Sequence, residues 1–433
     1  MKKCLFVLSL CTIAGLYTTS CSDKDNDGLG DIDQGSGTME TMTPEESKKF
    51  LEETATSALN MLNPEDQKEV IQLCSYFLDN YDNLDLPENF EVEEETRNFV
   101  NEIFSDLSKG VASSDPSYLT RAIVDYVYNI NFENFKGIYE PGKYEWEKTA
   151  DSNDVIFRFT GINGQECELK AAGSSNYYDT SFEWTEEDRY YGDESSQYNF
   201  HVPAQVKVTL KEGNTQLAEC QVTSNVNFAS HNFTVDCQVK VANITAEAKT
   251  EGNDSKVTET ATTTVNGTKY IYDYAVVTGS HLCDIDFYNK NFGNNDNYAS
   301  AFSQMFTKGE ATVNVLDKVS IDGTIQYTYA MYDALGLYAD SAVEAETYVA
   351  LLNNNIKGQV RYNNTTTVQA TIGWSYTTEK YSWGTEYYIE PQLIFPDGTS
   401  YYFTKYFETG FSGVENLWNS LTKKYEAIWD AAR

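Results

Sequence analysis

Residues 203–280 read PAQVKVTLKEGNTQLAECQVTSNVNFASHNFTVDCQVKVANITAEAKTEGNDSKVTETATTTVNGTKYIYDYAVVTGS. Runs of Val, Thr, Ile and Tyr alternate with polar residues and are broken by compact turn sequences. That pattern predicts a meander of antiparallel strands. Five long strands are expected, at 203–211, 215–227, 232–249, 255–265 and 268–280. The turns fall at Glu212-Gly213-Asn214, near Ala229, at Glu251-Gly252-Asn253 and at Asn266-Gly267. The last is the strongest, because a two-residue hairpin turn needs positive φ that Asn and Gly tolerate. In the second hairpin Ala218, Cys220, Val222 and Val226 share one face, as do Val235, Cys237, Val239 and Val241 on the next strand. A turn centred between Phe228 and Ala229 sets Cys220 opposite Cys237, either as a cross-strand disulfide or as two buried free thiols.

The same alternation extends in both directions. Upstream, the period becomes two from about Tyr139, with Val155, Phe157 and Phe159 ahead of a turn at Asn163-Gly164. Residues Gly173 to His201 read as a long polar insertion between strands. Downstream, strands are expected at 311–317, 322–331, 367–375, 385–395 and 400–406, with short helices at Tyr298–Phe306 and Ala342–Asn353. The chain closes with Val414, Leu417, Trp418, Leu421, Tyr425, Ile428 and Trp429 at helical spacing, an amphipathic helix expected to dock on a sheet. Before the strands, four helices read clearly. Thr43-Pro44-Glu45-Glu46 is a capping box opening a helix to about Leu62. Others start at Asn63-Pro64, at about Val92 (to Leu107) and at Asp115-Pro116. The fold class expected is α+β, with a helical region at 43–135 and an antiparallel β-rich region at 136–433.

Composition narrows the function. A formal charge of −35 argues against a nucleic-acid partner. The 32 Tyr and 22 Phe fit a β-rich chain, since aromatic side chains pack well on pleated surfaces. No nucleophile elbow, HExxH, phosphate loop or dinucleotide fingerprint occurs, so a cofactor is not expected and a non-catalytic role is; a hydrolase is the minor alternative, since 66 acidic residues guarantee apparent carboxylate pairs. Cys74, Cys167, Cys220, Cys237 and Cys283 show no CxxC spacing. The stretch His281-Leu282-Cys283-Asp284-Ile285-Asp286 fails as a metal site if it is a strand, because His281 then faces away from Asp284 and Asp286.

The first residues give an address. Lys2 and Lys3 precede an apolar run from Leu5 to Leu16, followed by Thr18-Thr19-Ser20-Cys21. The run is shorter than the roughly 20 residues a membrane helix needs, so residues 1–20 read as a secretory signal. This segment resembles the lipobox of bacterial lipoproteins, with Thr18 where the box usually has Leu and with Leu16 two residues further upstream. The resemblance implies cleavage before Cys21 and acylation of its thiol. Ser22 to Asp27 resembles the acidic tract that follows the lipidated cysteine in surface-exposed lipoproteins of the Bacteroidetes. It implies a lipid-anchored place on the outer membrane, at the cell surface, with an outer-membrane protein as one candidate partner. Residues 21–42 read as an acidic, Gly-rich tether. Asp23, Asp25, Asp27 and Asp31 also fit the opening of a calcium loop, but Gln34 stands where a bidentate carboxylate belongs.

Two functions are therefore expected to compete. One is a non-catalytic surface protein that binds a ligand, a glycan being the chemistry that fits its aromatic loops. Its candidate contacts are Trp184 and Tyr190 in the polar insertion and Trp374, Tyr381 and Trp383 around a turn expected at Thr378-Glu379. The alternative is a carrier or chaperone of lipids or other amphipathic molecules. Long antiparallel meanders with helices on one face resemble the half-barrels of bacterial lipoprotein carriers, and a concave apolar sheet under helices would leave a greasy cavity.

Overall fold

The structure is a computed structural model. It describes residues 38–86, 103–105, 135–174, 176–186, 194–292, 298–334, 336–382 and 384–433.

Helix α1 (Pro44–Met61) begins where the capping box predicts: Thr43 Oγ1 accepts from the Glu46 N–H at 3.3 Å and Glu46 Oε2 accepts from the Thr43 N–H at 2.9 Å. After a 3-10 turn at Pro64–Gln67, α2 (Lys68–Tyr81) buries Val70, Ile71, Leu73, Cys74 and Phe77. Cys74 is thus a core residue. Of the helix expected over 92–107, Ile103–Ser105 is described, and Ile103 and Phe104 are buried. The helix expected from Asp115 lies outside the described residues.

Among the described residues, every strand but two belongs to one sheet of 17. It opens with β1 (Gly137–Pro141), β2 (Trp146–Ala150), β3 (Val155–Thr160) and β4 (Glu166–Gly173). The meander follows as β7 (Gln205–Glu212), β8 (Thr215–Asn227), β9 (Asn232–Val241), β10 (Ile244–Gly252), β11 (Lys256–Val265) and β12 (Thr268–Thr278). Then come β13 (Lys308–Val315), β14 (Val319–Gln326), β16 (Ile356–Tyr362), β17 (Val368–Tyr381) and β18 (Gly384–Ile394). Each strand from β3 to β18 pairs antiparallel with its neighbour in this order, whereas β1 pairs parallel with β3 and antiparallel with β2. The short β15 (Tyr338–Ala339) and β19 (Ser400–Tyr402) both lie on the far side of β18. The sheet is open, with β2 at one edge.

Several expectations need correction. The strand expected at 232–249 is a hairpin, β9 and β10, reversed at Ala242-Asn243. The alternation carries the signal, since inward residues are odd up to Val241 and even from Ile244, and a two-residue turn produces that change of phase. The β8–β9 turn spans Phe228–His231, so Asn227 faces Asn232. Cys220 therefore pairs with Val239 and Cys237 with Val222. The two cysteines are diagonal free thiols with sulfurs 4.0 Å apart, not a disulfide. The polar insertion forms a separate two-stranded ribbon, β5 (Tyr177–Glu186) with β6 (Glu194–Pro203). The β17–β18 reversal lies between Tyr381 and Gly384, beyond the turn expected at Thr378-Glu379. The strand expected at 400–406 stops at Tyr402 and gives way to α7 (Phe403–Glu408).

The last helix, α8 (Ser412–Asp430), joins the N-terminal helices over the inward face of the sheet. It touches α1 and α2, Ser75 Oγ donates to Trp429 O at 2.9 Å, and the Tyr425 hydroxyl donates to Gln67 Oε1. Leu59, Leu73, Phe77, Tyr425 and Ile428 from the helices form one core with Trp146, Phe157, Leu210, Ile244 and Tyr362 from the strands. Burial of Tyr362 and its bond to Ser47 accompany this closure. The void between Ile103, Leu169, Val208 and Cys220 is about 10 Å³, room for one water at most. Among the described residues, the helices pack directly onto the inward face of the sheet.

The end of the expected tether is fixed to this body. Met39 N donates to Thr367 Oγ1 at 3.1 Å and Met42 N to Gln369 Oε1 at 2.7 Å, while Gln369 Nε2 donates to Glu40 O at 3.2 Å.

Candidate functional site

An antiparallel meander sends alternate connections to opposite ends, and the two ends of this sheet differ. One end carries tight reversals with left-handed residues, at Gly213, Ala242, Asn266-Gly267, Leu316-Asp317 and Asn363-Asn364. The other end carries the Phe228–His231 turn, the 253–255 turn, and two long connections. The first holds α3 (Ile285–Phe292) and α4 (Tyr298–Met305); the second holds α5 (Met331–Ala334), β15 and α6 (Ala342–Asn355). Loops placed by a rigid scaffold are where recognition residues collect.

The β17–β18 hairpin projects at this loop-bearing end. On one face Glu379 pairs directly with Glu386, Tyr381 with Gly384, and Thr377 with Tyr388, while Tyr338 of β15 pairs with Tyr388 from the other side. Tyr338, Tyr388, Tyr381, Glu379 and Glu386 therefore form one surface. Tyr338 and Tyr381 are 43% and 38% exposed, so their rings remain available to a ligand. The Tyr338 and Tyr388 rings meet edge-on at 5.9 Å. The Tyr381 hydroxyl donates to Glu379 Oε2 and the Tyr388 hydroxyl to Glu386 Oε2. Those bonds hold both phenols above their usual range, because a phenolate beside a carboxylate would set two negative charges together. Carboxylates directly opposite each other destabilise a strand pair, so this hairpin breaks a local rule at an exposed aromatic surface.

No protein-family model matches the chain, and no curated protein is similar to it. Among solved structures, a porin-like protein from Bacteroides vulgatus ATCC 8482 aligns over 61% of this chain and 90% of its own length, at 6% identity and a TM-score of 0.15. A likeness that slight bears on neither fold nor function.

The other residues singled out by sequence have different fates. Trp374 lies on the opposite face from Tyr381 and packs into a satellite core with Met331, Leu352 and Ile389. Its backbone is clamped to α6, Asn353 Nδ2 donating to Trp374 O and Trp374 N donating to Asn353 Oδ1, both at 2.8 Å. It is an anchor for α6 rather than a stacking platform. Trp184 pairs with Ser196 within the β5–β6 ribbon. Tyr190, Trp383, Cys21, Asp23, Asp25, Asp27 and Asp31 lie outside the described residues.

A second surface lies on the outward face of β8 to β11. Gln221, Thr223, Asp236, Gln238, Lys249 and Thr262 line an open polar furrow of about 420 Å³. It offers hydrogen bonds without an aromatic wall.

The 281–286 stretch corrects the sequence-based expectation most directly. It is not a strand. His281 and the two residues after it make a turn, and α3 starts at Ile285, so His281 Nδ1 comes within 3.1 Å of Asp284 Oδ2. Among the described residues, the side chains that could hold a metal are His231, Asp254 and Asp284. Each falls at the loop-bearing end, a coincidence that sequence distance concealed and turn parity would have revealed.

Proposed function

We propose that this chain is an exported, lipid-anchored, non-catalytic protein that binds a glycan through the exposed face of the β17–β18 hairpin. The observation that carries the proposal is the surface formed by Tyr338, Tyr381 and Tyr388 with Glu379 and Glu386. Tyrosine rings give rigid apolar faces that stack on the C–H face of a sugar at low entropy cost. Adjacent carboxylates accept from its hydroxyls, and charge-assisted bonds of this kind are about twice as strong as neutral ones. The packed core where α1, α2 and α8 meet the strands, among the described residues, weighs against the carrier alternative, which needs a continuous apolar cavity.

Binding is tested by a glycan array followed by calorimetry with the best hit. Tyr381→Ala and Tyr388→Ala are each expected to weaken binding at least about tenfold, roughly 1.4 kcal/mol. Tyr388→Phe keeps the ring and loses the hydroxyl, so it should fall between the parent and Tyr388→Ala. An array without hits, or affinity unmoved by both alanine variants, removes the glycan reading. The anchor is tested separately: labelled palmitate should enter the parent chain and be absent from Cys21→Ala.

A further inference from the structure

Three connections at the loop-bearing end bring His231, Asp254 and Asp284 together, with His281 beside Asp284. His231 closes the β8–β9 turn, Asp254 lies in the β10–β11 turn, and His281 and Asp284 lie on the link from β12 into α3. One donor atom from each of His231, Asp254 and Asp284 lies within 4.8 Å of the other two. His231 Nδ1 is 2.7 Å from Asp254 Oδ2, and His281 Nδ1 is 3.1 Å from Asp284 Oδ2. The second oxygen of Asp284 accepts from the Phe287 N–H at 2.8 Å and so caps α3. The second oxygen of Asp254 is buried and has no hydrogen-bond partner among the described residues. A buried polar atom of this kind calls for a partner, an ion among them.

The backbone holds these donors in place. His231 and His281 both adopt left-handed φ, at 46° and 60°. For residues with a Cβ that conformation is unfavourable and tends to cluster at functional sites. Leu282 N donates to Asp254 O at 3.2 Å, which ties the second and third loops together. Gly279 lets the link pass so close to α4 that a Cβ there would fall 1.6 Å from Met305 O. The His281 ring stacks on Phe287, with centroids 4.1 Å apart and planes 5° apart. Val257, Leu282 and Met305 form a small separate core beneath.

We infer that His231, Asp254 and Asp284 bind one divalent transition-metal ion of the Zn2+ class, with water completing its coordination and His281 orienting Asp284. One imidazole nitrogen and two carboxylate oxygens make three protein donors, the number that an open tetrahedral Zn2+ site takes before water fills the fourth position. Ca2+ and Mg2+ prefer six or more oxygens, and only two carboxylates converge here. Cys283 is not among the ligands, because its thiol donates to Asn253 O at 3.2 Å. The ion would cross-link the His231 turn to the two loops that the Leu282–Asp254 hydrogen bond already joins, fixing this end of the molecule. The inference stands independently of glycan binding.

The test uses the full chain, stripped with a chelator and titrated with Zn2+ alone by calorimetry, with metal content counted by mass spectrometry. One Zn2+ per chain with a dissociation constant of about 1 μM or tighter is expected. Asp254→Asn, Asp284→Asn and His231→Ala should each weaken binding at least about tenfold, in the range that loss of metal-site partners produces. Cys283→Ser should leave it unchanged. Parent and Asp284→Asn should melt alike in chelator and diverge when Zn2+ is added, a difference that misfolding would not produce. If His231→Ala does not fold, the two Asn variants carry the test. No binding at about 100 μM Zn2+, or binding unaffected by both Asn substitutions, would reduce the cluster to two histidine–aspartate pairs and overturn the inference.

Discussion

Glu259 sits on the inward row of the sheet, paired with Thr250 and Ala275, and burial pushes its carboxyl above the ordinary value of 4.5. A raised folded-state value means that the folded chain holds the proton more tightly than the unfolded chain. Stability from this group is therefore greatest below the ordinary glutamate value and declines as pH rises through the folded value. Glu259→Gln should raise Tm at pH 7 and leave it unchanged near pH 4; equal Tm at both pH values would contradict the burial argument. A second residue-scale prediction concerns the opposed carboxylates. Glu379→Gln removes the like-charge pair with Glu386, so the variant should melt slightly higher, by about 0.2–1 kcal/mol of stability, while binding its glycan more weakly. A gain in both would separate Glu379 from the ligand surface. The aromatic crowding of 374–388 was legible from sequence, and the structure leaves Tyr381 exposed within it. Trp374 looked equivalent and is not. Strand parity places it on the other face, and parity could be assigned only once the reversal was known to lie beyond Tyr381 rather than at Thr378.

At the scale of elements, caps and turns with strong local chemistry were readable, and reversals supported from a distance were not. The Thr43 box and the Asn266-Gly267 turn, with φ of 53° and 73°, carry their own geometry. The Ala242-Asn243 reversal has no glycine. It is held by the helical layer, Gln67 Nε2 donating to Asn243 Oδ1 at 2.8 Å and Asn243 Nδ2 to Asp66 Oδ2 at 3.2 Å. No local propensity signals such contacts across 176 positions. Ala242 pays for this with φ of 50°, which costs roughly 1–2 kcal/mol for a residue with a Cβ. Ala242→Gly is expected to raise stability by up to about 1 kcal/mol in urea melts, and a loss would show that the alanine methyl contributes more than its backbone costs. Helix α2 depends on Phe77, whose ring stacks on Phe104 at 4.0 Å and meets Phe159 edge-on at 4.9 Å. The same ring was only one of a stripe in the sequence; its place at the junction of helix and sheet is a tertiary fact.

For the molecule as a whole, the order of pairing was largely written in the chain, because a meander joins neighbours in sequence through short connections. What fills the inward face was less legible, since α1 and α8 lie more than 350 residues apart and meet only in the folded core. The amphipathic stripe of α8 announced that it docks, and the hydrophobic pattern could not say that its neighbours would include α1 and α2. This arrangement makes the two ends of the chain interdependent. Val414, Leu421, Tyr425 and Ile428 are each buried in α8, and apolar side chains of this size contribute about 1.5–3 kcal/mol apiece. Four of them reach roughly 6–12 kcal/mol, comparable with the whole net stability of about 5–15 kcal/mol typical of a folded domain. Their removal also leaves Gln67 without the hydroxyl of Tyr425, and Ser75 without the Trp429 carbonyl. A chain ending at Gly410 should therefore lose its cooperative melt and its near-ultraviolet ellipticity, keep strand signal in the far ultraviolet, and bind anilinonaphthalene sulfonate. A truncated chain that still melts cooperatively, within about 2 °C of the parent, would mean that the sheet carries its own core and that α8 is peripheral to it.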